Sequence, residues 1–508
     1  MAKPKQFTRP PKKTKPSKSS PETEDDFQEA ADFEEDAGGK WRAGDPAKSG
    51  RAFIRALEIY DKGLQKHPSS FDLAYNKARL ELEITQNAAI VESIGVPLEQ
   101  LLRQTLQSHR VALKLDEENV DVRFNASQVL VSLAECLSEE DDDGEAVGLL
   151  HEALEMLSAC LARQEMMIEQ QNAGFGEEGA EEDGGVPLDE GGSNAGSDSP
   201  QEQSATIVNP VTPSDLLDTV QASLSALTTL ASMVDSSGLQ MLGDIAHQLT
   251  ESKAPSYLSL LPNDQQDSAR FAVGLARATF IAAFADAQYS NQLIELQTYM
   301  ARLDTFVTLP GKDRSAHALF TEAQARSELV LSALDQTQAQ PAMFPASECW
   351  KQLSTAQISL TAASKLTDED AKERKAKVYE SKADIELLRW RLASAPGYGL
   401  SEAVQKSAPT LLANSRTFYK GAVDHGKALG EDDVVEKATG RYVLVNAMAK
   451  LASEGAESSS SAGSAGAAGP AIAGAEGVDL IEMLGECVEE GLLSEEVADQ
   501  LVERLQGA

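Results

Sequence analysis

From Ala56 to Ala153 the chain repeats one spacing of small and large apolar positions among charged ones. Ala56, Tyr60, Gly63 and Pro68 stand at offsets 0, 4, 7 and 12, which sets small, large and small residues along one helix ahead of a proline turn. A further helix opens at Ala74-Tyr75-Asn76-Lys77-Ala78, and the frame returns at Ala112, at Phe124-Asn125-Ala126-Ser127, and at Ala146, Leu150 and Ala153. Gly63 to Ala112 and Asn76 to Asn125 are both 49 residues, so a single insertion near Gln86 to Gln100 explains both. Ala112 to Ala153 is 41 residues, and the polar run Ser138 to Gly144 falls in the matching loop. Both insertions are expected to be loops facing water.

The helical rhythm continues through Leu149 to Gln164 and resumes behind Ser214, where Leu216, Leu217, Val220, Leu224, Leu227, Leu230 and Ala231 trace one face. Further helices are predicted at about 238–250, 265–287, 290–308, 314–336, 350–366, 371–393, 401–428 and 432–453, with Pro341 and Pro345 as breaks. Residues 478–505 read as a short acidic helical hairpin turning at Gly491, which either docks on the preceding helices or meets a partner. No alternating strand pattern precedes a hairpin signal, so the fold class is all-α.

The frame at Ala56, Tyr60, Gly63 and Pro68 resembles the second helix and exit turn of the tetratricopeptide repeat, whose period is about 34 residues. That resemblance implies a tetratricopeptide-like α-solenoid of antiparallel helix pairs with a long acidic disordered insertion. Six segments follow: a basic-then-acidic disordered arm (1–48), repeats (49–168), an acidic disordered loop (169–210), degenerate repeats (211–454), a Ser/Ala/Gly-rich linker (455–477) and the acidic hairpin (478–508). Residues 1–20 hold seven bases and no acid, and Glu22 to Asp36 holds nine acids and no base, compositions that cannot bury a core.

Charge narrows the partners. With 81 acids against 45 bases the net charge is −36, which argues against nucleic-acid phosphate as the main ligand and favours a basic protein partner or simple solubility. No Lys or Arg occurs from Gln164 to Ser252. Cys136, Cys160, Cys349 and Cys487 are scattered in apolar helical contexts and read as buried thiols. No segment reads as membrane-spanning, so no membrane partner is expected, and Pro10 to Lys18 resembles a nuclear localisation signal, consistent with nucleus and cytoplasm.

The six histidines are isolated, with no metal-ligand or nucleophile spacing, and the phosphate-binding glycine motifs are absent from the sequence. Aligned as a calcium loop on Gly144, the run at 139–144 would need Glu where Leu150 stands. A non-enzyme without metal or cofactor is expected. Asn76 and Asn125 share one repeat position, and the resemblance implies that they face a groove able to hydrogen-bond an extended peptide. A carboxylate clamp of the Hsp70/Hsp90 co-chaperone kind also needs a Lys and an Arg in the next repeat, which the base-free stretch does not supply. The chain looks like acidic tetratricopeptide chaperones of basic proteins such as histones or ribosomal proteins; the alternatives are a structural adaptor or assembly factor binding a peptide in the groove, and an Hsp70/Hsp90 co-chaperone weakened by the missing clamp. The expected electrostatic contacts are Glu139, Glu140, Asp141, Asp142 and Asp143, with Glu177, Glu178, Glu181, Glu182, Asp183, Asp189 and Glu190.

Overall fold

A computed structural model describes residues 20–138, 143–177, 210–337, 343–458 and 480–506, and among them it is all-α with no strand. The first helices are α1 Glu24–Trp41, α2 Pro46–Lys66, α3 Phe71–Thr85, α4 Ala88–Ile94, α5 Leu98–Leu115, α6 Val120–Ser138 and α7 Asp143–Glu177. Next come α8 Pro213–Ala231, α9 Ser236–His247, α10 Ala254–Leu260, α11 Asn263–Ser290, α12 Leu296–Val307, α13 Ala316–Gln336 and α14 Ala346–Ala363. The last are α15 Glu369–Glu373, α16 Lys375–Ser394, α17 Glu402–Gln405, α18 Ala408–Leu429, α19 Asp432–Ser458, α20 Leu480–Glu489 and α21 Glu495–Gln506. The chain divides into two compact units, Met1–Ala226 with Ala246–Val273, and Leu227–Ile245 with Gly274–Ala508.

In the first unit α1 packs on α2, α3 on α5, and α6 on both α5 and α7. The recurring small and large positions form these contacts: Ala56, Tyr60, Ala74, Ala78, Ala112, Ala126, Ala146, Leu150 and Ala153 are all buried. Gly63 is small for a reason, since a Cβ there would lie 2.9 Å from Leu73 and 3.1 Å from Phe27. The site is a three-helix crossing with no room for a side chain.

Five expectations are corrected here. The acidic stretch from Glu22 is no disordered arm, because residues 24–41 form α1, with Phe27, Ala31, Glu35 and Gly38 buried along one face. A capping box between Thr23 and Asp26 starts the helix, and Glu24, Asp25 and Asp26 favour its N-terminal dipole. The basic residues 1–19 lie outside the described residues. The insertion at 86–100 is not merely a loop, since it holds α4, whose Ile90 is fully buried in the core shared with Phe53 and Tyr60. Helix α7 runs on to Glu177, past the boundary expected at 168, and α19 runs to Ser458, past the linker start at 455. Finally, α11 contains an 18-residue stretch of mean hydropathy 1.3, long and apolar enough to cross a membrane by length and composition, with a third of it buried among its neighbours.

A π-helical turn, Gln248–Lys253, joins α9 to α10. Pro255 sits in the first turn of α10 and has no N–H to give, so the ladder before it must shift. The shift presents Lys253 and Tyr257 to Glu165 of α7; the Lys253 Nζ donates to Glu165 at 2.8 Å. The first base after the base-free stretch thereby pairs with one of that stretch's first acids.

In the second unit α13 packs on α14, α14 on α16, α16 on α18, α18 on α19 and α19 on α20. The chain turns between α20 and α21 through Gly491 at φ +69°, a left-handed conformation that suits glycine. Met483 of α20 sits against Gly440 of α19, and Arg391 of α16 donates to the Gly491 carbonyl, so the C-terminal pair docks on this unit.

Candidate partner-binding surface

Three helices of the first unit carry an aromatic residue followed by an amide: Phe27-Gln28 on α1, Tyr75-Asn76 on α3 and Phe124-Asn125 on α6. The aromatic rings are buried, and the amides bond from helix to helix. Asn76 Nδ2 donates to Gln28 Oε1 at 2.9 Å, and Gln28 Nε2 donates to Asp32 at 2.6 Å and to the Tyr60 hydroxyl at 3.2 Å. Tyr60 in turn donates to Glu35 at 2.6 Å, and Arg79 closes the seam with Glu35 at 2.5 Å and Glu83 at 3.3 Å. Burial, with the Glu35 charge next to it, raises the Tyr60 pKa, so its hydroxyl stays a donor.

The predicted site residues separate under this geometry. Asn76 is half-buried with its amide nitrogen engaged by Gln28. Asn125 is 3% exposed, buried in the seam between helices, so it is no open groove contact, which corrects the expectation for it. A shared repeat position fixed their common helix face but not which neighbour covers that face. Asp143 opens α7 and Glu177 ends it. Glu139, Glu140, Asp141, Asp142, Glu178, Glu181, Glu182, Asp183, Asp189 and Glu190 lie outside the described residues. Gln28, Tyr60, Glu35 and Arg79 were missed, though one signal was present: Phe27 to Tyr75 is 48 residues and Tyr75 to Phe124 is 49.

Among the described residues of this unit, many bases are already paired. Lys66 meets Glu22 at 3.1 Å, Arg55 meets Glu34 at 2.7 Å, Lys77 meets Asp61 at 2.7 Å, and Arg110 meets Glu152 at 2.8 Å. Arg103 reaches both Glu99 at 2.6 Å and Glu145 at 2.7 Å. Exposed pairs of this kind add little stability each. Their effect is on the surface field, because they cancel the bases and leave the excess carboxylates outward.

The second unit holds two buried ionic clusters. Glu322, fully buried, accepts from Lys312 at 2.8 Å, Arg326 at 2.9 Å and Ser359 at 2.9 Å. Burial alone would raise its pKa, yet the bonds from Lys312 and Arg326 hold it below the ordinary carboxylate range. Around Arg441, Asp384 and Glu490 gather with Lys437 and Tyr419. Glu380 beside this cluster is pushed up to about 7, first by burial and then by the Asp384 charge. A carboxyl whose folded pKa exceeds its unfolded value of 4.5 favours folding most below that value and loses the contribution as pH rises to about 7. Glu380→Gln is therefore expected to gain about 3 kcal/mol over the parent at pH 8 and very little at pH 4.5. Urea unfolding at the two pH values measures the difference, and an equal effect at both would contradict the assignment.

Cys349 and Cys487 are buried, and burial pushes both thiols up to about 12, away from the thiolate. His109 is buried, and desolvation lowers its pKa to about 4. Among the described residues no three His, Cys, Asp or Glu side chains gather as a metal ion would require.

The described residues thus define an all-α protein of packed helix pairs with polar seams and an acidic surface. No family model matches the chain. It is similar to the UPF0656 protein C926.02 of Schizosaccharomyces pombe, with 35% identity over 128 residues, 25% of this chain and 28% of that protein. The match spans little more than a quarter of the curated relative's length, and the relative's name states no activity, ligand or partner.

Proposed function

We propose that this chain is a non-enzymatic protein-binding scaffold, a tetratricopeptide-like solenoid of antiparallel helix pairs that escorts a strongly basic client of the ribosomal-protein or histone kind in the nucleus and cytoplasm. The observation that carries the reading is the pairing of the first unit's bases, Arg55, Lys66, Lys77, Arg103 and Arg110, within a chain of net charge −36. A basic client then meets carboxylates whose local cations are already engaged. Acids of the chain would screen the client's Lys and Arg until it reaches its nucleic acid. The reading assigns the acids from Glu178 to Glu190 to the client, with the packed helices as their frame.

The test is a pull-down from extract with the full chain and with a chain lacking 178–200, washed at about 0.1 M and about 0.5 M salt, where screening differs strongly. The full chain is expected to retain a basic protein at low salt, with recovery falling about tenfold at high salt and on the deletion. Equal recovery of non-basic proteins by both chains at both salts would overturn the escort reading and leave a structural adaptor.

A further inference from the structure

Helix α14 presents Ser354, Gln357, Ile358 and Thr361 along one stripe, and these residues with Lys365, in the turn just past the helix end, border a groove of about 590 Å³ with Arg389 of α16 on its other side. The groove inverts the protein's charge. Its charged lining is Lys365 and Arg389, with no carboxylate among the lining residues, in a chain of net charge −36. Arg389 is held in place from beneath, its guanidinium 4.5 Å from the Trp350 ring and its NH1 donating to buried Glu386 at 2.8 Å. Glu386 is also tied to Asn414 at 3.1 Å, so that carboxylate is committed below the groove. Lys365 is exposed and joins no ion pair among the described residues. Ile358 is 70% exposed at the rim, an unusual setting for a large aliphatic residue. Two polar atoms of the lining, Gln357 Oε1 and Arg389 Nε, are buried without a hydrogen-bond partner.

We propose that this groove binds an acidic peptide segment of a second protein, an aliphatic side chain of the peptide packing on Ile358 and a carboxylate lying between Lys365 and Arg389. The site goes beyond the escort reading, because its ligand has the opposite charge from the proposed client. A bare anion would leave Ile358 uncovered, and a nucleic acid would find only two cations in a strongly negative field. A peptide backbone also brings the donors and acceptors that Gln357 and Arg389 lack, once those side chains turn toward it.

The probe is a pair of end-blocked, fluorescein-labelled twelve-residue peptides, one repeating Glu-Leu-Asp and one repeating Gln-Leu-Asn, titrated by anisotropy against the full chain. The acidic peptide is expected to bind saturably and about tenfold more tightly than its amide counterpart. Lys365→Glu and Ile358→Asp, both exposed positions, are each expected to weaken it about tenfold with unchanged melting temperature, while Lys372→Glu leaves it unchanged. Absence of saturable binding, equal binding of the two peptides, or binding indifferent to both groove substitutions would overturn the proposal.

Discussion

Arg441→Ala is expected to destabilise the protein by about 3 kcal/mol and to loosen the C-terminal helix pair. The Arg441 side chain is 1% exposed, and it bridges Asp384 of α16 at 2.8 Å to Glu490 behind α20. Removing the guanidinium leaves Asp384 with Tyr419, 2.5 Å away, as its bonded partner, and Glu490 with Lys437 at 2.9 Å. An uncompensated carboxylate in that setting costs more than the lost pair contributed, which is why the single deletion is severe. Arg441→Met combined with Asp384→Asn and Glu490→Gln removes the charges together and is expected to recover most of the loss. The readouts are urea unfolding and alkylation of Cys487, a fully buried thiol of α20 that becomes accessible only when the helix lifts. If Arg441→Ala unfolds with the parent and Cys487 stays protected, apolar contacts such as Met483 on Gly440 hold the pair instead.

What could be read from the sequence divides along physical lines. Periodicity located the helices well, because each buried position is set by its own helix; Tyr60, Ala112 and Leu150 were found this way and are buried. Charge counted by segment failed over Glu22 to Asp36, most of which is α1, where nine acids looked uncompensated. Their partners come from elsewhere in the chain: Arg55 for Glu34, Lys66 for Glu22, and Arg79 with Tyr60 for Glu35. No window of local sequence contains those pairings. Asn125 shows the second limit, since a repeat position tells which residues correspond and leaves open what packs over them. The insertion at 86–100 shows a third, because one residue, Ile90, turned an apparent loop into part of the core. The groove beside Ile358 and Arg389 needed two helices in place before its charge could be seen.

Phe27→Ala is expected to cost about 3–5 kcal/mol, a value that tests the assignment of α1 as a structural helix. Phe27 is 4% exposed and lies with Ala31, Tyr60 and Leu73 in one cluster, its ring also meeting His67 edge-on at 6.2 Å. The backbone of α2 approaches so closely at Gly63 that its missing Cβ would stand 3.1 Å from Phe27, so the cavity left by the ring has little freedom to collapse. Phe33 on the same helix is 46% exposed and provides the control, with Phe33→Ala expected to change stability by less than about 0.5 kcal/mol. An arm without fixed structure would make both substitutions silent. A large loss at Phe27 alone would establish that the acidic helix completes the first helix pair, and that its carboxylates reach a partner from a rigid surface. Polar exchange then separates packing from charge: Glu29→Gln, at an exposed position of α1, should leave stability unchanged while weakening any basic client that this face holds.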